Sequence, residues 1–174
     1  MLALGEKANL RRLRPADLVP FQTYRADPDV ARYQGWTAMD DAEACNFLAV
    51  MQQIDLPKIG GWCQIGIADA VSDILIGDVG VHIAQDQSEA ELGITMARAA
   101  QGKSQGFEAV GLIVDWVFAQ SRAAKINAIT DERNTGAQAL LIRLGWPFVT
   151  TLGPDVEIVG RTEHVFEYAR PNGP

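Results

Sequence analysis

Apolar residues along this chain recur with two different periods, and the switches between them mark out its elements. Alternation from Ala8 to Arg14 predicts a first strand, stopped by Pro15. Helical spacing follows over Asp17 to Ala26, with a short second helix from Asp29 to Tyr33 entered through Asp27 and Pro28. Asp40 to Gln53 predicts a longer helix with Ala44, Phe47, Leu48 and Met51 facing inward. After a loop from Leu56 to Gly61, the period returns to two. Trp62 to Ala68 and Ile74 to Ile83 read as a hairpin turning through Ala70 to Asp73, and Gly77 and Gly80 predict a bulge or a close backbone approach in its second strand. Lys125 to Thr130, Trp146 to Leu152 and Glu163 to Ala169 read as later strands. Between the first two of these, a helix opens at Asn134 or Thr135, buries Ala137, Leu140, Leu141 and Leu144 on one face, and ends at Gly145. The pattern counts about seven strands with helices between them in a single domain, an α/β (α+β) chain.

The stretch around which this order is arranged is AELGITMARAAQGKSQGFEAV, Ala90 to Val110. Leu92, Ile94 and Met96 share one face of a strand, and Glu91, Gly93 and Thr95 the other. Gln101 to Gly106 then form a loop with two glycines. Phe107, Val110, Val114, Val117 and Phe118 follow at helical spacing, so a helix starts near Ser104. Backbone N–H groups at a helix start have no partner within the helix and suit a phosphate. Gly102 and Gly106 lack a Cβ and let a ligand come close. A P-loop is the first alternative, because Gly102-Lys103-Ser104 matches its end. Ala97 stands where that motif needs another glycine, and the Walker B-like Leu112 to Asp115 lies inside the same predicted helix.

Composition narrows the partners. A net charge of −7 argues against a general nucleic-acid binder and is compatible with a cationic acceptor. No apolar run reaches membrane-spanning length and Met1 to Asn9 lacks the form of a secretory signal, so no membrane partner and a cytoplasmic location are expected. Cys45 and Cys63 make no CxxC pair, and with His82 and His164 as the histidines there is no metal-ligand spacing. Two buried thiols, two ordinary histidines and no metal are expected.

Gln101-Gly102-Lys103-Ser104-Gln105-Gly106 resembles the acyl-CoA loop of the GNAT acetyltransferase superfamily, with Ser104 in place of the central glycine. Glu91-Leu92-Gly93-Ile94 resembles the Glu-x-Gly-Tyr strand of its Rim-type (ribosomal-protein N-acetyltransferase-like) branch, with Ile94 for the usual aromatic. Asn134 to Trp146, NTGAQALLIRLGW, resembles that branch's Asn-x-x-Ser…Leu-Gly-Phe segment, and Ala31 to Trp36 the approach to its acceptor site. The resemblance covers nearly the whole chain in order. It implies a GNAT fold with a mixed, mostly antiparallel central sheet of about seven strands flanked by helices, acetyl-CoA as co-substrate, and direct transfer of the acetyl group to a primary amine; a homodimer is compatible with it. The family's acceptors include protein N-termini, polyamines and aminoglycoside-type antibiotics.

The chemistry sets three requirements: the amine must lose a proton, the carbonyl oxygen must be stabilised, and a thiolate must leave. The resemblance gives the base role to Glu91, level with the expected thioester; a structural acceptor is the competing role. Glu157, with Asp155 beside it in the loop from Gly153 to Arg161, is the rival base. The demand on a base depends on the acceptor, since a lysine amine has a pKa of about 10.4 and an α-amine about 7.7–8.0. The backbone N–H of Met96 is assigned to the oxyanion. Gln101 to Gly106 hold the pyrophosphate, Lys103 adds charge, and Asn134 contacts the pantetheine arm or caps its helix. Tyr33 and Trp36 line the acceptor end or close the first helices onto the sheet. Asp40, Asp41 and Glu43 either favour a helix start or form an acidic rim for a cationic substrate. The departure is the acid: Ala137 and Leu141 stand where family members carry a serine or a tyrosine donor. That leaves a non-enzymatic acyl-CoA-binding module as the second hypothesis and a longer acyl donor as a third.

Overall fold

The computed structural model describes residues 1–153 and 162–171. Its seven strands form one sheet in the order β1-β2-β3-β4-β5-β7-β6. They are β1 (Ala8–Arg12), β2 (Gly61–Asp69), β3 (Leu75–Ile83), β4 (Glu89–Met96), β5 (Lys125–Asp131), β6 (Phe148–Leu152) and β7 (Glu163–Ala169). Every neighbouring pair is antiparallel except β4 and β5, which run parallel. The helices are α1 (Leu18–Arg25), α2 (Pro28–Ala31), α3 (Asp41–Gln53), α4 (Gln105–Gln120) and α5 (Thr135–Arg143). Leu112 to Asp115 fall within α4, so no Walker B strand exists there and the P-loop alternative is excluded.

Each face of the sheet carries its own core. On one, the apolar stripe of α4 (Val110, Ile113, Val114, Val117) packs on Ile65, Val79, Val81, Leu92, Ile126 and Phe166. On the other, Phe21 and Tyr24 of α1 meet Ala44 and Leu48 of α3 over Leu13 and Leu75. β1 stops at Arg12, two residues short of expectation, because Asp17 draws the chain inward: its carboxylate accepts from Arg14 N–H and from the buried Arg11 guanidinium. The start of α3 is a capping box, Asp40 accepting from Glu43 N–H and Glu43 from Asp40 N–H. Asp41 accepts from the Gln22 amide. The acids at this helix start serve as caps and contacts, and all three remain exposed. The last helix ends at Gly145 with φ of 81°.

Two expectations are corrected. Cys45 is exposed, because it lies on the outer side of α3; Cys63 alone is buried, and burial pushes its thiol pKa up. β6 begins at Phe148 rather than Trp146, since Trp146 turns into the core and stacks on Tyr168. The close approach expected at Gly77 is present: a Cβ there would lie 2.3 Å from the Thr95 carbonyl oxygen on β4. Gly80 faces the Gln64 side chain, and the expected bulge is present in β3: Ile67 pairs with Gly77 and Ala68 with Leu75, leaving Ile76 beside Gly77 as the extra residue. Among the described residues, no helix is long and apolar enough to cross a membrane.

Candidate active site

The parallel pair at the centre of the sheet is incomplete. β4 and β5 register from Glu89–Lys125 to Leu92–Ala128 and then part, leaving Gly93 to Met96 and Ile129 to Asp131 without a ladder between them. Strand geometry fixes where the free backbone points. Ala97 N–H donates to Ile76 O, and Gly77 faces Met96 in the antiparallel register. Amides alternate sides along a strand. The N–H groups of Ile94 and Met96 therefore point away from β3 and into the gap. Gln101 turns back to donate its side-chain amide to Met96 O at 3.1 Å, which orients the loop that follows.

That loop carries two successive left-handed turns in the chain, at Gly102 (φ 73°) and Ser104 (φ 65°). The first contact of the α4 ladder is Glu108 N–H to Ser104 O. No backbone carbonyl among the described residues accepts from the N–H of Gly102, Lys103 or Ser104, and the N–H groups of Gln105 to Phe107 precede the ladder. The carboxylate that would spoil this anion-receptive end, Glu108, turns away. It accepts from the N–H groups of Glu6, Lys7 and Ala8. Burial raises its pKa, but those three bonds outweigh it and hold the carboxyl below its usual range.

Ser104 is the departure from a glycine loop, and its conformation explains what the substitution costs. Its hydroxyl makes no capping bond, so nothing local offsets the left-handed backbone. Ser104→Gly is expected to stabilise the fold by about 1 kcal/mol, the lower end of the cost of a non-glycine residue in this region. Chemical denaturation of the variant checks it, and a loss of stability would show that the serine makes an interaction in solution.

Two cavities occupy the gap and its outlet. The larger, about 490 Å³, runs along Met96, Gln101, Gly102, Ser104, Gly106 and α5. The smaller, about 100 Å³, passes between the parted strands, with Gly93, Ile94, Ile129, Asp131, Asn134 and Glu163 around it. Tyr33 and Ala137 line both. Asn134 also lines both, and its side-chain oxygen accepts from Ala137 N–H at 3.1 Å, so it caps α5 at the rim of the gap. Leu141 is buried beside the smaller cavity. Tyr33, Thr130 and Ser104 supply the hydroxyls that line the two.

The remaining expected site residues are placed unevenly. Lys103 is exposed and lines neither cavity. Trp36 lines neither; its ring lies 4.4 Å from the guanidinium carbon of Arg25 on α1. Glu91 is half-buried on the far face of β4 and lines neither cavity. Burial first, then repulsion from Glu163 and Glu89, raises its pKa. Glu157 lies outside the described residues. Glu163, read only as the start of the last strand, is the glutamate that reaches the smaller cavity. Its sequence signal is faint, because a strand's first residue is normally assigned to the turn.

The parted strand edge and the anion-receptive helix start set backbone donors at two ends of one cleft. The chain belongs to the GNAT acetyltransferase family, as a family model described as "Acetyltransferase (GNAT) domain" matches residues 7–147. It is an N-acetyltransferase of that family. An uncharacterized N-acetyltransferase, p20, from Bacillus licheniformis is 28% identical over 142 residues, 81% of this chain and 79% of that protein. The fold is similar to that of the ribosomal-protein-S5-alanine acetyltransferase from Vibrio fischeri, with a TM-score of 0.80, 18% identity and coverage of 98% of this chain and 97% of that one. It is also similar to spermidine N-acetyltransferase from Vibrio cholerae, solved with CoA and spermine, with a TM-score of 0.78, 18% identity and coverage of 95% and 96%.

Proposed function

We propose that this protein transfers the acetyl group of acetyl-CoA directly to a primary amine. The observation that carries this is the alignment of the Met96 N–H, aimed into the strand gap, with the unpaired amides of Gly102 to Phe107 at the far end of the larger cavity. Acetyl-CoA carries an acyl carbonyl at one end and a pyrophosphate at the other, and these donors suit the two ends. The pyrophosphate rests on the amides of Gly102 to Phe107. The pantetheine arm runs past Asn134 and along β4. The thioester oxygen takes the Met96 N–H, a donor fixed before charge develops. The amine enters from the Gly93 side, attacks the carbonyl carbon, and the C–S bond breaks. The leaving thiolate has a conjugate pKa of about 8.5 and takes its proton from water or from Tyr33, which faces the junction of the two cavities.

A CoA complex of the structurally similar spermidine N-acetyltransferase supports the co-substrate assignment. Titration with acetyl-CoA and CoA, followed by thiol release over a panel of α-amines, polyamines and small amines, tests the proposal. Binding with amine-dependent thiol release is the expected result. Binding without release from any amine would favour the second reading, a module that binds acyl-CoA without turnover, which the apolar Ala137 and Leu141 favour. Failure of every CoA species to bind would overturn both.

A further inference from the structure

Of five acidic side chains on the Glu91 face of the sheet, four have partners. Glu89 takes Lys125 and the Asn127 amide. Glu167 takes Lys125 at 2.8 Å. Asp78 takes Arg25 and the Tyr24 hydroxyl. Asp131 takes the Arg133 guanidinium at 2.7 Å. The fifth, Glu163, makes no side-chain hydrogen bond or ion pair with any described residue, and neither does Glu91. The sheet register sets Glu163 opposite Asp131 on β7, beside the end of β5 that has parted from β4. It lines the smaller cavity together with Gly93 and Ile94, whereas Glu91 stands behind, outside both cavities. Gly93, which lines that cavity with Glu163, has open space where a side chain would be.

We infer that Glu163 is the carboxylate that receives the acceptor's ammonium group and takes its proton, with Glu91 as a second negative charge behind it. This rests on the acetyl-transfer reading above. The balance is simple. The R–NH3⁺ group binds against Glu163 and passes one proton to it, directly or through a water. The neutral amine then attacks the thioester carbon, a C–N bond forms, the C–S bond breaks, and the amide nitrogen's surplus proton leaves with the thiolate or water. The assignment departs from the sequence expectation, which placed the base at Glu91 or Glu157. Burial first, then repulsion from Glu163, raises the pKa of Glu91, and a cation held at Glu163 relieves that repulsion.

The test uses two kinds of primary amine at neutral pH: a strongly basic alkylamine, which arrives protonated, and a weakly basic arylamine, which arrives neutral. Wild-type protein must first release thiol with the alkylamine; if no amine gives release, the acetyl-transfer reading has failed rather than this one. Given that activity, Glu163→Gln is expected to lower kcat/KM for the alkylamine by roughly 100-fold, the lower end of general-base contributions. The arylamine rate and the CoA affinity stay near wild type. Glu163→Asp, which keeps the charge, is expected to recover part of the alkylamine rate. Equal loss for both amines, or no loss for either, overturns the inference. A Glu163→Gln protein with an altered melting temperature is judged by the ratio of the two amine rates, which a structural defect would leave unchanged.

Discussion

Asp78→Ala is expected to destabilise the protein by about 3–5 kcal/mol, because it leaves a buried guanidinium without its counter-charge. Asp78 sits on β3 opposite Thr95, next to the part of β4 that borders the gap. Its carboxylate accepts from Arg25 at 3.1 Å on both oxygens and from the Tyr24 hydroxyl, and all three side chains are almost fully buried. Phe21 lies 4.5 Å and Trp36 4.4 Å from the Arg25 guanidinium carbon, so no water can take over. For a chain of this length the cost corresponds to a fall in Tm of roughly 6–20 °C. Burial raises the pKa of Asp78, and Arg25 and Tyr24 oppose it. The sign follows: the contribution of this group is fully present below the ordinary carboxyl pKa of about 3.9 and is lost as pH rises through the raised value. Arg25 and Tyr24 hold the carboxylate against its own desolvation. Replacing Asp78, Arg25 and Tyr24 together with apolar residues should therefore cost far less than Asp78→Ala alone. Thermal unfolding of both variants checks this, and equal losses would place the trio's value in packing instead.

Much of this arrangement was legible in the residues, and the illegible part has physical causes. Strands such as Trp62 to Ala68 and Glu163 to Ala169 and the helices over Asp40 to Gln53 and Asn134 to Gly145 are set by side-chain period and by end signals, which are local. The same is true of the loop at Gly102 to Gly106. Ser104 stood out in sequence as a missing glycine, and its left-handed φ is the structural form of that exception. What local pattern cannot carry is the parting of β4 from β5, since a run such as Gly93 to Met96 looks alike whether its outer edge is paired or open. The gap decides which carboxylate matters. Glu91 was legible through its motif, yet it lines neither cavity, while Glu163, four strand positions beyond Glu167 on β7, does. Trp36 carried two readings; it is half-buried against Arg25 of α1 and lines neither cavity. Cys45 was expected inside because cysteine usually is; one step around the α3 helix from Ala44 sufficed to expose it.

Gly93→Leu is expected to stop acetyl transfer while leaving the fold and CoA binding intact. Gly93 is exposed on β4, and a Cβ built there meets no atom within 4 Å, so the position is a glycine for the sake of the space rather than the backbone. Its side chain would project to the same face as Glu91, away from the larger cavity and into the mouth of the smaller one, which holds only about 100 Å³. An amine approaching the thioester from that side must pass the isobutyl group. Displacing the reacting nitrogen by about 1 Å is enough to cost roughly 100-fold in rate. The expected result is a fall in kcat/KM of at least roughly that size with an unchanged Kd for acetyl-CoA, because the contacts proposed for the cofactor lie along Met96, Gln101 to Gly106 and Asn134. Gly93→Ala should fall between wild type and leucine, since a methyl group narrows the gap without filling it. Turnover by Gly93→Leu at the wild-type rate would mean that the acceptor reaches the thioester by another route, and would remove the geometric basis for placing its ammonium at Glu163. Loss of both turnover and CoA binding would mean that the parted strands had closed on each other, which a melting temperature above wild type would reveal.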